Sequence, residues 1–69
     1  MTTVNIRDIL ESTSDITECS PQIGDVLRRD LPEFPGVQRF WLARDEEQFC
    51  IALSYLFRWS ITHNVSVIV

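Results

Sequence analysis

Sixty-nine residues make one domain at most, and at that size a single core yields only a few kcal/mol of net stability unless a disulfide, a metal or a second chain assists. Six basic against ten acidic side chains give a formal charge of −4, which argues against a sequence-independent hold on phosphate backbone or anionic lipid. Apolar residues at 45%, charged residues at 23%, two Gly and three Pro describe a chain that folds rather than a disordered tail.

Near the N-terminus, Asn5 precedes Ile6, Ile9 and Leu10, whose spacing predicts a short helix with Asp8 in its first turn. Val4 and Ile6 also alternate, so an initial strand is the competing expectation. Residues 12–18 are polar and read as the first connection. Ser20-Pro21 then reads as a helix start, because Ser accepts from orphan amides and Pro has no amide to leave unpaired. Ile23, Val26, Leu27 and Leu31 share one face of that helix, and Arg28 with Arg29 suit its negative end. Leu31-Pro32 ends it, since the residue before Pro is pushed out of the helical region, and residues 32–36 form a rigid turn.

Residues 37–43 are read as a short strand on their aromatic content, with a helix as the alternative. Asp45-Glu46-Glu47-Gln48 has the form of a capping box, so a new helix starts there and runs to about Thr62. Val65-Ser66-Val67-Ile68-Val69 has the β-branched content of a final strand, pairing with residues 37–43 or across a two-fold axis. The expected architecture is α+β, helix–helix–strand–helix–strand, one interaction domain over residues 1–69. The runner-up is all-α, with residues 37–62 as one helix.

The helix after Asp45 carries the main inference. At about 100° per residue, Phe49, Cys50, Ala52, Leu53, Tyr55, Leu56, Phe57, Trp59 and Ile61 sweep an apolar arc of roughly 240°, with Ser54 and Arg58 marking the polar strip. A helix on the surface of a small monomer buries an arc somewhat over 100°, roughly, so the excess meets a second layer, a second copy or a foreign partner, of which dimerisation is the simplest answer. Phe49, Leu53, Leu56, Phe57 and Ile61 are the expected homodimer interface. Arg58 and the length of the run exclude a membrane span. The start Met1-Thr2-Thr3-Val4-Asn5 lacks both regions of a signal peptide, so the protein is expected in the cytoplasm.

Chemistry-bearing motifs are missing. Cys19, Cys50 and His63 offer no CxxC, HxxxH or HExxH, so no metal and no cofactor is expected. Without a secretion signal the two cysteines read as reduced, and Cys50 within the apolar arc reads as packing rather than as a nucleophile beside His63. A helix-turn-helix over residues 20–45 is the DNA-binding alternative; it presents Gln38, Arg39 and Arg44 but runs into Asp45, Glu46 and Glu47, which phosphate repels. A third alternative is an antitoxin or immunity protein, whose acidity masks a basic toxin.

What remains is an aromatic and arginine set of the kind enriched at protein interfaces: Phe34, Arg39, Phe40, Trp41, Arg44, Tyr55, Arg58 and Trp59. The expected function is therefore non-catalytic, a homodimer that binds and inhibits or redirects a larger protein. With its size, its acidity and the segments Ile23-Gly24-Asp25-Val26-Leu27-Arg28-Arg29-Asp30-Leu31 and Phe40-Trp41-Leu42-Ala43-Arg44-Asp45-Glu46-Glu47, the chain resembles the small early proteins of temperate bacteriophages that disable host proteins, the anti-quorum-sensing type among them. That resemblance implies a dimer in the bacterial cytoplasm that binds a host acyl-homoserine-lactone-responsive transcription regulator and the ATPase that assembles pili. It assigns no site residue.

Overall fold

The computed structural model describes residues 2–69, so the first residue of the Met1-to-Asn5 start lies outside it. The chain is mixed α+β: β1 (Thr2–Asn5), α1 (Arg7–Ser12), α2 (Ile16–Asp30), α3 (Val37–Leu42), α4 (Glu46–Thr62) and β2 (Val65–Ile68). The two strands pair in parallel, from Thr2 opposite Val65 to Asn5 opposite Ile68, so four helices lie between the halves of one small sheet. β2 therefore pairs with the N-terminal strand and not with residues 37–43.

Both expectations for the N-terminus hold, in succession. Thr2, Thr3 and Val4 favour extended backbone, and alternation buries Val4 and Ile6 completely. The Asn5 side chain then accepts from the Arg7 amide at 3.0 Å, and the chain turns into α1, whose Ile9 and Leu10 pack on the core.

α2 begins at Ile16, within the stretch expected to be a connection, and Pro21 lies inside it. Asp15 is the cap, accepting from the Thr17 amide at 2.9 Å and the Thr17 hydroxyl at 2.8 Å. Ser20 is not a cap because it is wholly buried, and its hydroxyl donates to the Phe40 carbonyl of α3. Pro21 removes only the bond to the Thr17 carbonyl. The end of α2 is as the sequence indicates: the Leu31 amide still reaches the Leu27 carbonyl at 2.7 Å, and Pro32 follows.

Residues 37–42 are helix, not strand. Val37, Phe40 and Trp41 are spaced by three and four, and that spacing puts Phe40 in the core and Trp41 against α2, which overrides the strand propensity of the aromatics. The all-α alternative fails at Ala43, where the backbone is extended (φ −65°, ψ 123°). Asp45 then caps α4, accepting from the Gln48 amide at 2.8 Å, while Gln48 Oε1 accepts from the Arg44 amide at 2.8 Å. At the far end Asn64 takes a left-handed conformation (φ 56°) that turns α4 into β2.

One core results, built from Val4, Ile6, Cys19, Ile23, Leu27, Leu31, Phe34, Phe40, Ala43, Phe49, Ala52 and Leu56. Cys19 belongs to it and Cys50 is exposed; both are free thiols. The expectation that Cys50 is packing is thereby corrected, since its side of α4 faces water. Cys50 and the C-cap residue His63 lie thirteen positions apart along α4, about 20 Å of rise.

Candidate functional site

α4 buries Phe49, Ala52, Leu56 and Ser60 and half-buries Leu53, Phe57 and Trp59. At about 100° per residue the covered arc is roughly 160°, so the wide apolar arc overhangs the core on both flanks.

On one flank, α3 and α4 form a continuous surface. Leu42 is 65% exposed, Ile51 50% and Tyr55 42%. Leu42, Ile51, Arg39 and Gln48 enclose a shallow depression of about 300 Å³. The Arg39 guanidinium lies 4.6 Å from the Tyr55 ring centroid, a cation–π arrangement that holds both side chains over the depression's edge. Further along, Tyr55, Arg58, Trp59 and Thr62 line a second depression of about 280 Å³. Tyr55 is set by the turn before α3: a Cβ on Gly36 would lie 2.7 Å from Phe34 and 3.0 Å from Tyr55, so only glycine lets these rings approach.

Trp59 is fixed from two sides, edge-on by Phe34 at 5.4 Å and stacked by His63 at 4.1 Å and 12°. His63 Nδ1 lies 2.9 Å from the Trp59 carbonyl and from Thr62 Oγ1. A carbonyl only accepts, so Nδ1 carries the hydrogen. On the opposite flank Ile61 is 81% exposed, with Phe57 half-buried one turn earlier.

The structure thus brings together Arg39, Tyr55, Arg58 and Trp59 of the expected partner-binding set and separates the others. Phe34 and Phe40 are 2% and 0% exposed and belong to this chain's own core, because the turn and α3 need apolar anchors there. Trp41 faces α2: its Nε1 donates to Asp25 Oδ1 at 3.1 Å and to the Pro21 carbonyl at 3.2 Å, and Arg28 lies over its ring. Arg44 is exposed beside the α4 cap. Of the expected dimer set, Phe49 and Leu56 are core, Leu53 and Phe57 are half-covered, and Ile61 is free. Leu42 and Ile51 were not expected at a surface site. The signal for Ile51 was its place on the polar strip next to Arg58, and that for Leu42 was hidden by the strand reading.

Among the described residues, Glu47 and Arg58 at this surface make no ion pair. Arg29–Asp30 at 2.9 Å is the ion pair among the described residues, and it holds the Asp30 carboxyl below its ordinary range. Among the described residues no group of three or more His, Cys, Asp or Glu is placed to hold a metal, and no helix is long and apolar enough to cross a membrane. Comparison with protein-family models, with curated proteins and with solved structures finds no match to the chain.

Proposed function

We propose that the chain is a non-catalytic protein-binding module that acts as a homodimer and inhibits or redirects a larger protein by occupying part of its surface. The observation that carries this reading is the double overhang of α4: Leu42, Ile51 and Tyr55 on one flank, Ile61 beside Phe57 on the other. Contiguous exposed apolar side chains on a small domain mark association surfaces, and two separate flanks provide for a copy and for a foreign partner. Arg39 and Arg58 beside Tyr55 and Trp59 add the composition of binding hot spots.

Protein is favoured over DNA as the partner. α3 has six residues, its Arg39 is engaged on Tyr55, and Asp45, Glu46 and Glu47 follow at once. On the resemblance in size and acidity, the first larger partners to try are a bacterial acyl-homoserine-lactone-responsive transcription regulator and a pilus-assembly ATPase.

The test is affinity capture from nuclease-treated bacterial lysate with three baits: parent, Ile61→Lys and Trp41→Phe. A protein retained by the parent and by Trp41→Phe but lost from Ile61→Lys supports the reading. Nothing retained by the parent, or the same proteins retained by all three, overturns it.

A further inference from the structure

We infer that the outer stripe of α4 is the contact surface for a second copy of this chain, two α4 helices packing antiparallel about a two-fold axis that crosses between Ala52 and Leu53. The inference rests on the reading as a protein-binding module, and it assigns the copy to this stripe and leaves the Phe57–Ile61 flank to the larger partner.

Glu47, Ile51, Tyr55 and Arg58 follow one another at separations of four, four and three, and all four are exposed. They form a single stripe rising about 16 Å from Glu47 to Arg58. Its order is acid, apolar, apolar, base. Neither end charge has an ion-pair partner among the described residues. A two-fold axis at the middle of the stripe sets Glu47 of each copy against Arg58 of the other, so one symmetric contact satisfies four charges. Parallel packing would set acid on acid and base on base, which opposes it.

Shape follows the same symmetry. The depression between Leu42 and Ile51 lies one helical turn from Tyr55, whose ring Arg39 holds from one side. The antiparallel register places Tyr55 of one copy within one residue, about 1.5 Å of rise, of the level of Ile51 of the other, where that depression receives the ring. Projection and recess are thus carried by the same stripe, as an isologous interface requires.

The experiment is a sedimentation measurement of mass across a dilution series for the parent, Glu47→Arg, Arg58→Glu, the double variant carrying both changes, and Ile61→Lys, with circular dichroism confirming that each is folded. The parent and Ile61→Lys sediment as dimers. Each single charge change sets like charges together at both ends of the contact and weakens dimerisation about tenfold or more. The double variant recovers the dimer, because the pairs are restored with their signs exchanged. A monomeric parent, a dimer indifferent to all the charge changes, a double variant no better than the singles, or a dimer lost only in Ile61→Lys overturns the inference. Failure is distinguishable from failure of the broader reading: a monomeric parent that still captures a larger protein through Ile61 removes the copy alone, and a charge-swappable dimer that captures nothing removes the larger partner alone.

Discussion

The indole of Trp41 occupies the space that a side chain at Gly24 would fill: a Cβ built there would lie 2.5 Å from Trp41 Nε1 and 2.7 Å from Cδ1. α3 is therefore clasped to α2 by a large ring lying on a bare stretch of backbone, with its N–H held by Asp25 and Pro21.

Gly24→Ala is expected to destabilise the fold by about 1–3 kcal/mol, because the ring must move off a well-packed site and its hydrogen bonds stretch. Trp41→Ala is expected to cost about 2–4 kcal/mol through lost packing. Trp41→Phe keeps most of the packing and costs about 1 kcal/mol for the lost N–H donor. Urea unfolding of the three variants measures this order. A Trp41→Ala variant as stable as the parent would show that the clasp contributes nothing.

Ser20 makes a second link between the same helices, its buried hydroxyl donating to the Phe40 carbonyl. Ser20→Ala leaves that carbonyl with only the long 3.4 Å bond from the Ala43 amide. The expected loss is about 1–2 kcal/mol, and amide hydrogen exchange in α3 accelerates as α3 loosens from α2.

These two links explain which parts of the fold the sequence made legible. Chemistry settled between near neighbours was readable: the Asp45–Gln48 box, the stop at Leu31-Pro32 and the β-branched run of β2. Ser20-Pro21 and residues 37–42 were misread because contacts between α2 and α3 outweighed local preference. The pairing of Thr2 with Val65 spans nearly the whole chain, and nothing local announces it. At the candidate site, the adjacency of Arg58 and Trp59 was visible, whereas the contact of Arg39 with Tyr55 was not, because it joins α3 to α4. The division of aromatics between core and surface was not, since Phe40 and Tyr55 differ in burial only through the packing of α3.

Acid sensitivity follows from the α2 cap. The backbone and side-chain hydrogen bonds from Thr17 lower the Asp15 carboxyl below its ordinary value of 3.8. A carboxyl with a depressed folded pKa stabilises the fold fully above its unfolded pKa, and that contribution is lost as pH falls through the folded value. The unfolded state thus binds more protons near and below pH 3.8, and stability rises with pH there. Asp30, lowered by its hydrogen bond to Arg29, acts with the same sign. Asp15→Asn retains a capping acceptor but cannot titrate, so its stability is expected to fall less steeply below pH 4, roughly, than that of the parent. Thermal melts between neutral and acidic pH compare the two, and parallel curves would sink the assignment.

The turn from α4 into β2 depends on one residue. Asn64 holds φ at 56°, a region that asparagine tolerates, glycine occupies without penalty and β-branched residues avoid. Asn64→Gly is expected to change stability by less than about 1 kcal/mol, Asn64→Ala to cost about 1 kcal/mol, and Asn64→Val to cost more. The order Gly, Ala, Val in unfolding midpoint tests the turn. Because β2 pairs with β1, and the Ile6 amide donates to the Ile68 carbonyl at 2.9 Å, the Val variant is also expected to raise hydrogen exchange at Val4 and Ile6, which a purely local effect at the helix end would not do.

Ile61 separates stability from association most cleanly. At 81% exposure its side chain contributes little to the fold, and surface changes away from special features stay within about 0.5 kcal/mol. Ile61→Lys also places a cation in the last turn of α4, where it favours the helix by about 0.3–1 kcal/mol. The variant is therefore expected to melt at or slightly above the parent's temperature and to be more soluble. Under the proposed function it loses capture of the larger partner. An apolar side chain left in water with no task would give the first result without the second.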